Sequence, residues 1–156
     1  MTRDDFIARY GAIYEGSPWV AEAVWDGGDL DDVAAAMRAA IDTAPEAARM
    51  ELVRAHPDLA GKAALAGALT ADSTAEQAGA GLDRCSPEEL AEFHALNTAY
   101  KEKFGFPFIV AVKGLTRHDI LEQFRRRLEN DAATELATAF EQIHKIARLR
   151  LEALEP

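Results

Sequence analysis

Hydrophobic positions along this chain recur mostly every three or four residues, which is the spacing of an amphipathic helix. Phe6, Ile7, Tyr10 and Ile13 show this spacing behind a candidate N-cap at Thr2. Similar patterns, each with a start signal, predict further helices along the rest of the chain. These begin near Ser17, Asp29, Pro45, Ser73, Ser86, Thr116 and Asp131, and the last continues to Leu154.

Proline marks both ends of the fourth predicted helix. Pro45 stands at its start, and Pro57 ends it, because a proline disfavours the helical conformation in the residue before it. We therefore expect His56 at a helix C-terminus, where the chain bends. The next segment, 57–72, contains small residues and glycine, and it predicts a loop or a short helix.

Serine caps are expected at three helix starts, where a side-chain oxygen accepts a hydrogen bond from a backbone N–H of the first turn. Ser17 precedes Pro18, which suits the first helical position. Ser73 and Glu76 have the spacing of a capping box, and Ser86 opens the strongest start signal in the chain.

One segment departs from the helical pattern. The sequence "FPFIVAVKG", residues 106–114, is rich in β-branched and aromatic residues and would suit a short strand or a buried extended segment. No second segment offers it a partner strand, so no sheet is inferred. The sequence therefore predicts an all-α fold, a single-domain helical bundle over residues 1–156 without repeats or a dividing linker.

Charge narrows the classes of partner. The 156 residues carry a formal net charge of -10, and a surface this acidic repels both nucleic-acid phosphates and anionic membranes. We therefore expect no nucleic acid and no membrane among its partners. If the ligand is an anion, a local cationic pocket must overcome the repulsion.

Cysteine content and the chain ends indicate the compartment. Cys85 is the single cysteine, so no intrachain disulfide can form, which fits a reducing environment. No run approaches the roughly 20 apolar residues of a membrane span, and the acidic start "MTRDDF" is unlike a signal peptide. A cytoplasmic location is expected.

Histidine supplies the first candidate chemistry. At a helix C-terminus, the backbone carbonyls favour imidazolium, so we expect the pKa of His56 near neutral or above, as suits an acid or base. The alternative is a capping or surface histidine, which helix position alone favours. His94, His118 and His144 lie in other segments, and their spacing predicts no metal site.

Two polar groups could form an anion site. Ser73, Glu76 and Gln77 come together at a predicted helix N-terminus, whose N–H groups attract anionic oxygens, although a plain capping box explains the first two equally well. Near the C-terminus, Arg148 and Arg150 are separated by about 200° around a helix and face different ways. One interpretation places Arg150 on a broad inner face with Ile143, Ile146 and Ala147, and the alternative is two solvated arginines.

Four motifs in this order resemble one known family. "LVRAHPDLAGK", "STAEQAGAGLD", "LNTAYKEKFGFPFIVAVKG" and "IARLRLEAL" are similar to the motifs of the OHCU decarboxylases. These enzymes of urate degradation act on 2-oxo-4-hydroxy-4-carboxy-5-ureidoimidazoline (OHCU). The resemblance extends from the first helix to nearly the last residue.

The resemblance implies roles for individual residues. It implies that His56 and Glu76 are catalytic, with Glu76 pairing either with His56, whose pKa it would raise, or with the ureido group. It also implies a set of substrate-binding residues along the other motifs. These are Pro57, Ser73, Gln77, Phe108, Ile109, Val110, Ala111, Val112 and Arg150.

The resemblance further implies an all-α carboxy-lyase that forms (S)-allantoin from a small-molecule substrate without a cofactor, in a family that is often dimeric, so a homodimer is expected. Two alternatives stay open at this point. The same fold could act on a related ureido or imidazoline acid, because single pocket contacts decide such specificity. A non-catalytic α-helical interaction module would also suit the amphipathic last helix, but it gives no reason for the polar motifs.

Overall fold

The computed structural model describes residues 1–61 and 67–155, and in them eight α-helices and one short 3₁₀ helix occur without any β-strand. The helices are α1 Arg3–Tyr10, α2 Trp19–Gly27, α3 Val33–Asp42, α4 Glu46–Arg54, α5 Ala71–Gly79, α6 Pro87–Phe104, α7 Arg117–Leu128 and α8 Ala132–Leu154, with the 3₁₀ helix at Leu82–Arg84. The all-α prediction is confirmed. Most of the segment predicted as a loop or short helix after Gly61, residues 62–66, lies outside the described residues.

Capping boxes begin three of the helices, and each contains a hydroxyl and a carboxylate that exchange hydrogen bonds with the backbone of the first turn. The pairs are Thr2 with Asp5 at α1, Ser86 with Glu89 at α6 and Thr116 with Asp119 at α7. The predicted starts at Thr2, Ser86 and Thr116 are thus confirmed. These signals depend only on residues three apart, which is why the sequence reveals them.

The cap predicted at Ser17 is wrong. Pro18 occupies the N-cap position of α2 and no side chain caps this helix. The Ser17 hydroxyl instead donates to the backbone carbonyl of Glu15, at 3.0 Å. A hydroxyl that bonds to the preceding turn is a common alternative to a cap, and here it holds the backbone on either side of Gly16.

The described residues pack as two compact units. The first contains Met1–His56 with the C-terminal residues from His144 onward. In it α1 packs against α2, and α2 against α3, around a buried apolar core. The core includes Phe6, Val20, Val24, Met37, Ile41 and Leu52, and burying each such side chain contributes about 1.5–3 kcal/mol.

The second unit is Pro57–Ile143, and its α6 packs against α7. Beside them lies the segment predicted at 106–114, of which residues 106–112 are buried and not helical, whereas Lys113 and Gly114 are exposed. The ring of Phe108 stacks on Phe124 with centroids 3.9 Å apart, and Tyr100 meets both rings edge-on. The prediction of a buried, non-helical segment is confirmed for residues 106–112. The single domain over 1–156 stays a prediction.

Candidate active site

His56 lies just past the end of α4, in the first unit, and only 8% of it is exposed. Its backbone N–H donates to the carbonyl of Val53, at 3.3 Å. Its ring atom Nδ1 is 2.9 Å from the carbonyl oxygen of Leu52, one helical turn earlier. The expected position at a helix C-terminus is therefore confirmed, and the imidazole is held by that helix.

The bond to Leu52 fixes the tautomer of His56. A carbonyl oxygen only accepts hydrogen bonds, so Nδ1 carries the proton, and in the neutral imidazole Nε2 is then the acceptor nitrogen. Fixing one ring nitrogen in this way also fixes the ring plane. His56 can thus accept or donate a proton at a single defined atom, Nε2.

The expectation of a neutral or higher pKa for His56 is wrong. Burial lowers the pKa of this imidazole, because an apolar environment disfavours its charged form. The carbonyl of Leu52 and the carboxylate of Glu15 raise the pKa, whereas Arg150 lowers it, and burial outweighs the sum. At neutral pH the group is therefore an uncharged base.

Arg150 reaches the same part of the first unit from α8. Its Nη2 donates to Oε2 of Glu15, at 2.8 Å, and its Nη1 donates to the carbonyl of Ala12, at 3.2 Å. The side chains of this pair are only 6% and 5% exposed. Arg148, in contrast, is 65% exposed and lies 4.0 Å from Glu152, so the two arginines face different ways as predicted.

Glu15 is a buried residue that the sequence analysis missed. It lies in the turn after α1, where Gly16 has a φ of +58°, a backbone conformation that favours glycine. A Cβ on Gly16 would lie 3.3 Å from that of Ala55, so this turn packs against the end of α4. An acid between a tyrosine and a glycine follows no motif, and only the fold brings Glu15 beside Arg150 and His56.

In the second unit, α5 carries Ser73, Glu76 and Gln77. The capping box predicted at Ser73 and Glu76 is wrong, because the cap is Thr70, whose hydroxyl accepts from the N–H of Ser73 at 3.2 Å. Ser73 and Gln77 are four residues apart, share one helix face and are buried, while Glu76 is half-buried. Neither Ser73 nor Glu76 therefore caps this helix.

The side chain of Gln77 holds the turn that follows the histidine–proline pair. Its Oε1 accepts from the N–H of Ala60, at 3.0 Å, and its Nε2 donates to the carbonyl of Asp58, at 3.2 Å. Asn97 donates to the carbonyl of Leu59, at 3.0 Å. Pro57, at the start of this turn, is half-buried. The amide of Gln77 therefore orders this loop, whatever else it contacts.

Backbone groups of residues 108–112 were predicted to contact substrate, and three of them have partners in the fold. The carbonyl of Ile109 accepts from Nη1 of Arg127, at 2.6 Å. The N–H of Ala111 donates to Oε1 of Gln142, at 2.9 Å, and the carbonyl of Val112 accepts from the N–H of Leu115, at 3.0 Å. These bonds fix the segment without a helix or a sheet.

A second group that the sequence did not reveal supports this segment, and we call it the Glu135 cluster: Glu135, Arg127, Tyr100 and Asn130. Oε1 of Glu135 accepts from Tyr100 at 2.6 Å and from Nε of Arg127 at 2.9 Å, and its Oε2 accepts from Asn130 at 3.0 Å. Burial, together with the bond to this carboxylate, raises the pKa of Tyr100. All three donors converge on one fully buried acid.

The predicted site residues thus fall on both units. His56 and Arg150 belong to the first, where the fold brings them together with Glu15. Pro57, Ser73, Glu76, Gln77 and residues 108–112 belong to the second. Within residues 1–61 and 67–155, no three His, Cys, Asp or Glu side chains are grouped to hold a metal ion. No helix in those ranges is long and apolar enough to cross a membrane.

Known proteins resemble this chain over nearly all of its length. The sequence profile of the OHCU decarboxylase family matches residues 1–152. The 2-oxo-4-hydroxy-4-carboxy-5-ureidoimidazoline decarboxylase of Haloferax volcanii is 40% identical over 151 residues, which are 95% of this chain and 88% of that protein.

Two solved structures have a similar fold. The crystal structure of (S)-allantoin synthase matches with a TM-score of 0.77 and 31% identity over 99% of this chain, which spans 51% of that longer one. OHCU decarboxylase crystallised in the presence of (S)-allantoin matches with a TM-score of 0.73 and 25% identity over 97% of this chain and 96% of that one. On this sequence and structural similarity, the chain belongs to the OHCU decarboxylase family.

Proposed function

We propose that this protein is a carboxy-lyase that converts OHCU to (S)-allantoin in urate degradation. The observation that carries the proposal is the buried group of His56, Arg150 and Glu15, a defined proton-transfer atom beside a held cation in an acidic protein. The identity of the substrate is inferred from the relatives in the family. The proposal also includes a cytoplasmic location and a homodimer.

The substrate itself suits a reaction without a cofactor. Loss of CO2 leaves an electron pair on the ring carbon that carried the carboxylate, and many decarboxylases use a cofactor to accept such a pair. In OHCU the adjacent ring C=N accepts it: a C=C bond forms, and the nitrogen takes up a proton from water. The protein then has to supply orientation, charge placement and a proton at the right carbon.

In this proposal His56 handles the proton. Its neutral Nε2 takes the proton of the substrate hydroxyl as the enol formed by decarboxylation becomes a carbonyl. The imidazolium then delivers a proton to the neighbouring ring carbon, which restores neutral His56. The lowered pKa of His56 supports this cycle, because the resting group is a base and its conjugate acid gives up the proton readily. Delivery to one face of the ring makes (S)-allantoin.

The remaining residues position the substrate. Arg150 binds the carboxylate or a ring carbonyl through its guanidinium, which provides the local positive charge that a protein of net charge -10 needs for an anion. Glu76 is the second catalytic residue and accepts from the ureido N–H groups. Ser73, Gln77, Pro57 and backbone groups of 108–112 complete the contacts, with Gln77 also ordering the loop after Pro57.

The test is circular dichroism of OHCU generated in the cuvette from urate by urate oxidase and hydroxyisourate hydrolase. With this protein present, we expect a fast rise of the (S)-allantoin signal, ahead of the spontaneous racemic reaction. Boiled protein is the control. Decay at the spontaneous rate with folded protein would contradict the proposal, and would favour a related ureido acid as substrate or a binding module.

A further inference from the structure

We propose that Glu15 is a positioning residue that fixes the guanidinium of Arg150 for an anionic group of the substrate. The inference rests on the proposed function, because it concerns the same site. Glu15 belongs to none of the four motifs that link this sequence to its family. Its role follows from its contacts in the first unit alone.

The turn after α1 holds the guanidinium of Arg150. Oε2 of Glu15 accepts a hydrogen bond from Nη2, at 2.8 Å, and the carbonyl of Ala12 accepts one from Nη1, at 3.2 Å. A guanidinium is planar, so holding two of its nitrogens fixes the plane and direction of the whole group. An arginine held in this way has its orientation fixed in advance, so little side-chain freedom is lost when an anion binds.

The turn that carries Glu15 is itself held. The hydroxyl of Ser17 donates to the Glu15 carbonyl at 3.0 Å, and the N–H of Ser17 donates to the carbonyl of Tyr14 at 3.1 Å. Gly16 packs against Ala55, next to His56. A carboxylate on a turn fixed at both sides is a rigid support, as positioning requires.

Glu15 also acts on His56, and this effect gives a readout independent of packing. Among the residues that the structure describes, Glu15 raises the pKa of the imidazole and Arg150 lowers it. Neutralising Glu15 removes the first effect and keeps the second. The pKa of His56 therefore falls further in Glu15→Gln, although the shape of the residue is nearly unchanged.

The experiment compares Glu15→Gln and Glu15→Asp with Glu152→Gln as the matched control. Glu152 pairs with Arg148 on the same helix at an exposed position. We expect Glu15→Gln to raise KM for OHCU about threefold to tenfold, because the amide oxygen still accepts from Nη2 and only the charge assistance, roughly half of the bond strength, is lost. The acid limb of kcat/KM should move to lower pH. Glu15→Asp keeps the negative charge on a side chain that is one methylene shorter. It should therefore leave the acid limb of kcat/KM unchanged but raise KM. Glu152→Gln should match wild type in both.

A folded Glu15→Gln with wild-type KM and pH profile would overturn the inference. If Glu15→Gln does not fold, Glu15→Asp decides it, and a wild-type KM in that variant overturns it equally. NMR titration of His56 separates this inference from the proposed function, because it needs no substrate. A lower His56 pKa in Glu15→Gln supports the link even if wild type leaves OHCU unchanged, whereas an unchanged His56 pKa counts against it.

Discussion

Each of the two units contains a buried arginine–carboxylate pair, and the two pairs differ in the residues that surround them. Arg150 and Glu15 meet at 2.8 Å, Arg127 and Glu135 at 2.9 Å, and each arginine also donates to a backbone carbonyl. Glu135 accepts further bonds from Tyr100 and Asn130. Arg127 lies over the ring of Phe108, at 4.4 Å from its centroid. The Arg150 pair instead has His56 in its electric field.

The role of a buried ion pair cannot be deduced from the pair alone. Removing two charges from water is so unfavourable that a buried pair is weak evidence for stability, and its neighbours decide what it does. In the Glu135 cluster the neighbours are a phenol, an amide and an aromatic ring, and together they order the segment 106–112. Beside Arg150 the neighbour is a group that exchanges protons.

The largest effect is expected from His56→Asn. The amide can still donate to a carbonyl but cannot transfer a proton, so kcat should fall by about 10²–10⁴-fold, the usual contribution of a general acid–base. Steady-state assays by circular dichroism measure this, and far-UV spectra check the fold. The exposed His94→Asn is the control. Near-normal turnover in His56→Asn would remove the histidine from the mechanism.

The second effect concerns stability and the Glu135 cluster. Glu135→Leu leaves Arg127 buried without its carboxylate and should lower the free energy of unfolding by about 3–5 kcal/mol, measured by urea denaturation. The double variant Arg127→Met/Glu135→Leu should regain part of that loss, because no unpaired charge remains. For comparison, Glu92→Leu, in the exposed pair with Arg125, should change stability by less than about 1 kcal/mol. A double variant no more stable than Glu135→Leu contradicts the argument.

The smallest effect is a pH dependence of stability. Burial lowers the pKa of His56 and of His144 in the folded protein, so the unfolded chain binds protons first on acidification. The contribution of His56 is complete above about pH 6.5 and is lost as the pH falls below that value, by about 1.4 kcal/mol for each pH unit between its unfolded and folded pKa. Half-buried His144 contributes in the same direction but less, because solvent screens its charge. Urea midpoints at pH 7.5 and 5.5 measure it. His56→Asn should flatten the slope, and an unchanged slope would mean that His56 is not protonated on unfolding.

Local signals in the sequence predicted most helix limits. Thr116 and Asp119 suffice to begin α7, and Pro57 suffices to place His56 at a helix end. The start of α5 was misplaced because Thr70 and Ser73 both suit a cap, and the burial of Ser73 decides between them. Local pattern carries no information about such burial.

The candidate site was predictable only through its motifs. Helix geometry separates Arg150 from Arg148 and the family resemblance selects Arg150, but its partner Glu15 lies 135 residues earlier in the chain. The pKa of His56 depends on burial by the fold, so carbonyls at a helix end gave the wrong direction. The Glu135 cluster was not predicted either, because Glu135 looks in the sequence like an ordinary first-turn residue of α8.

The turn that Gln77 and Asn97 order restricts which residues can occupy positions 60 and 61. Ala60 has a φ of +50°, which costs an alanine about 1–2 kcal/mol, and only glycine, asparagine or aspartate adopts it easily. Next to it, a Cβ on Gly61 would meet that of Asp58 at 2.7 Å, so no larger residue fits. Mutational drift just after the histidine–proline pair is therefore confined to small residues, and a β-branched side chain at either position would move the chain that leads back to His56.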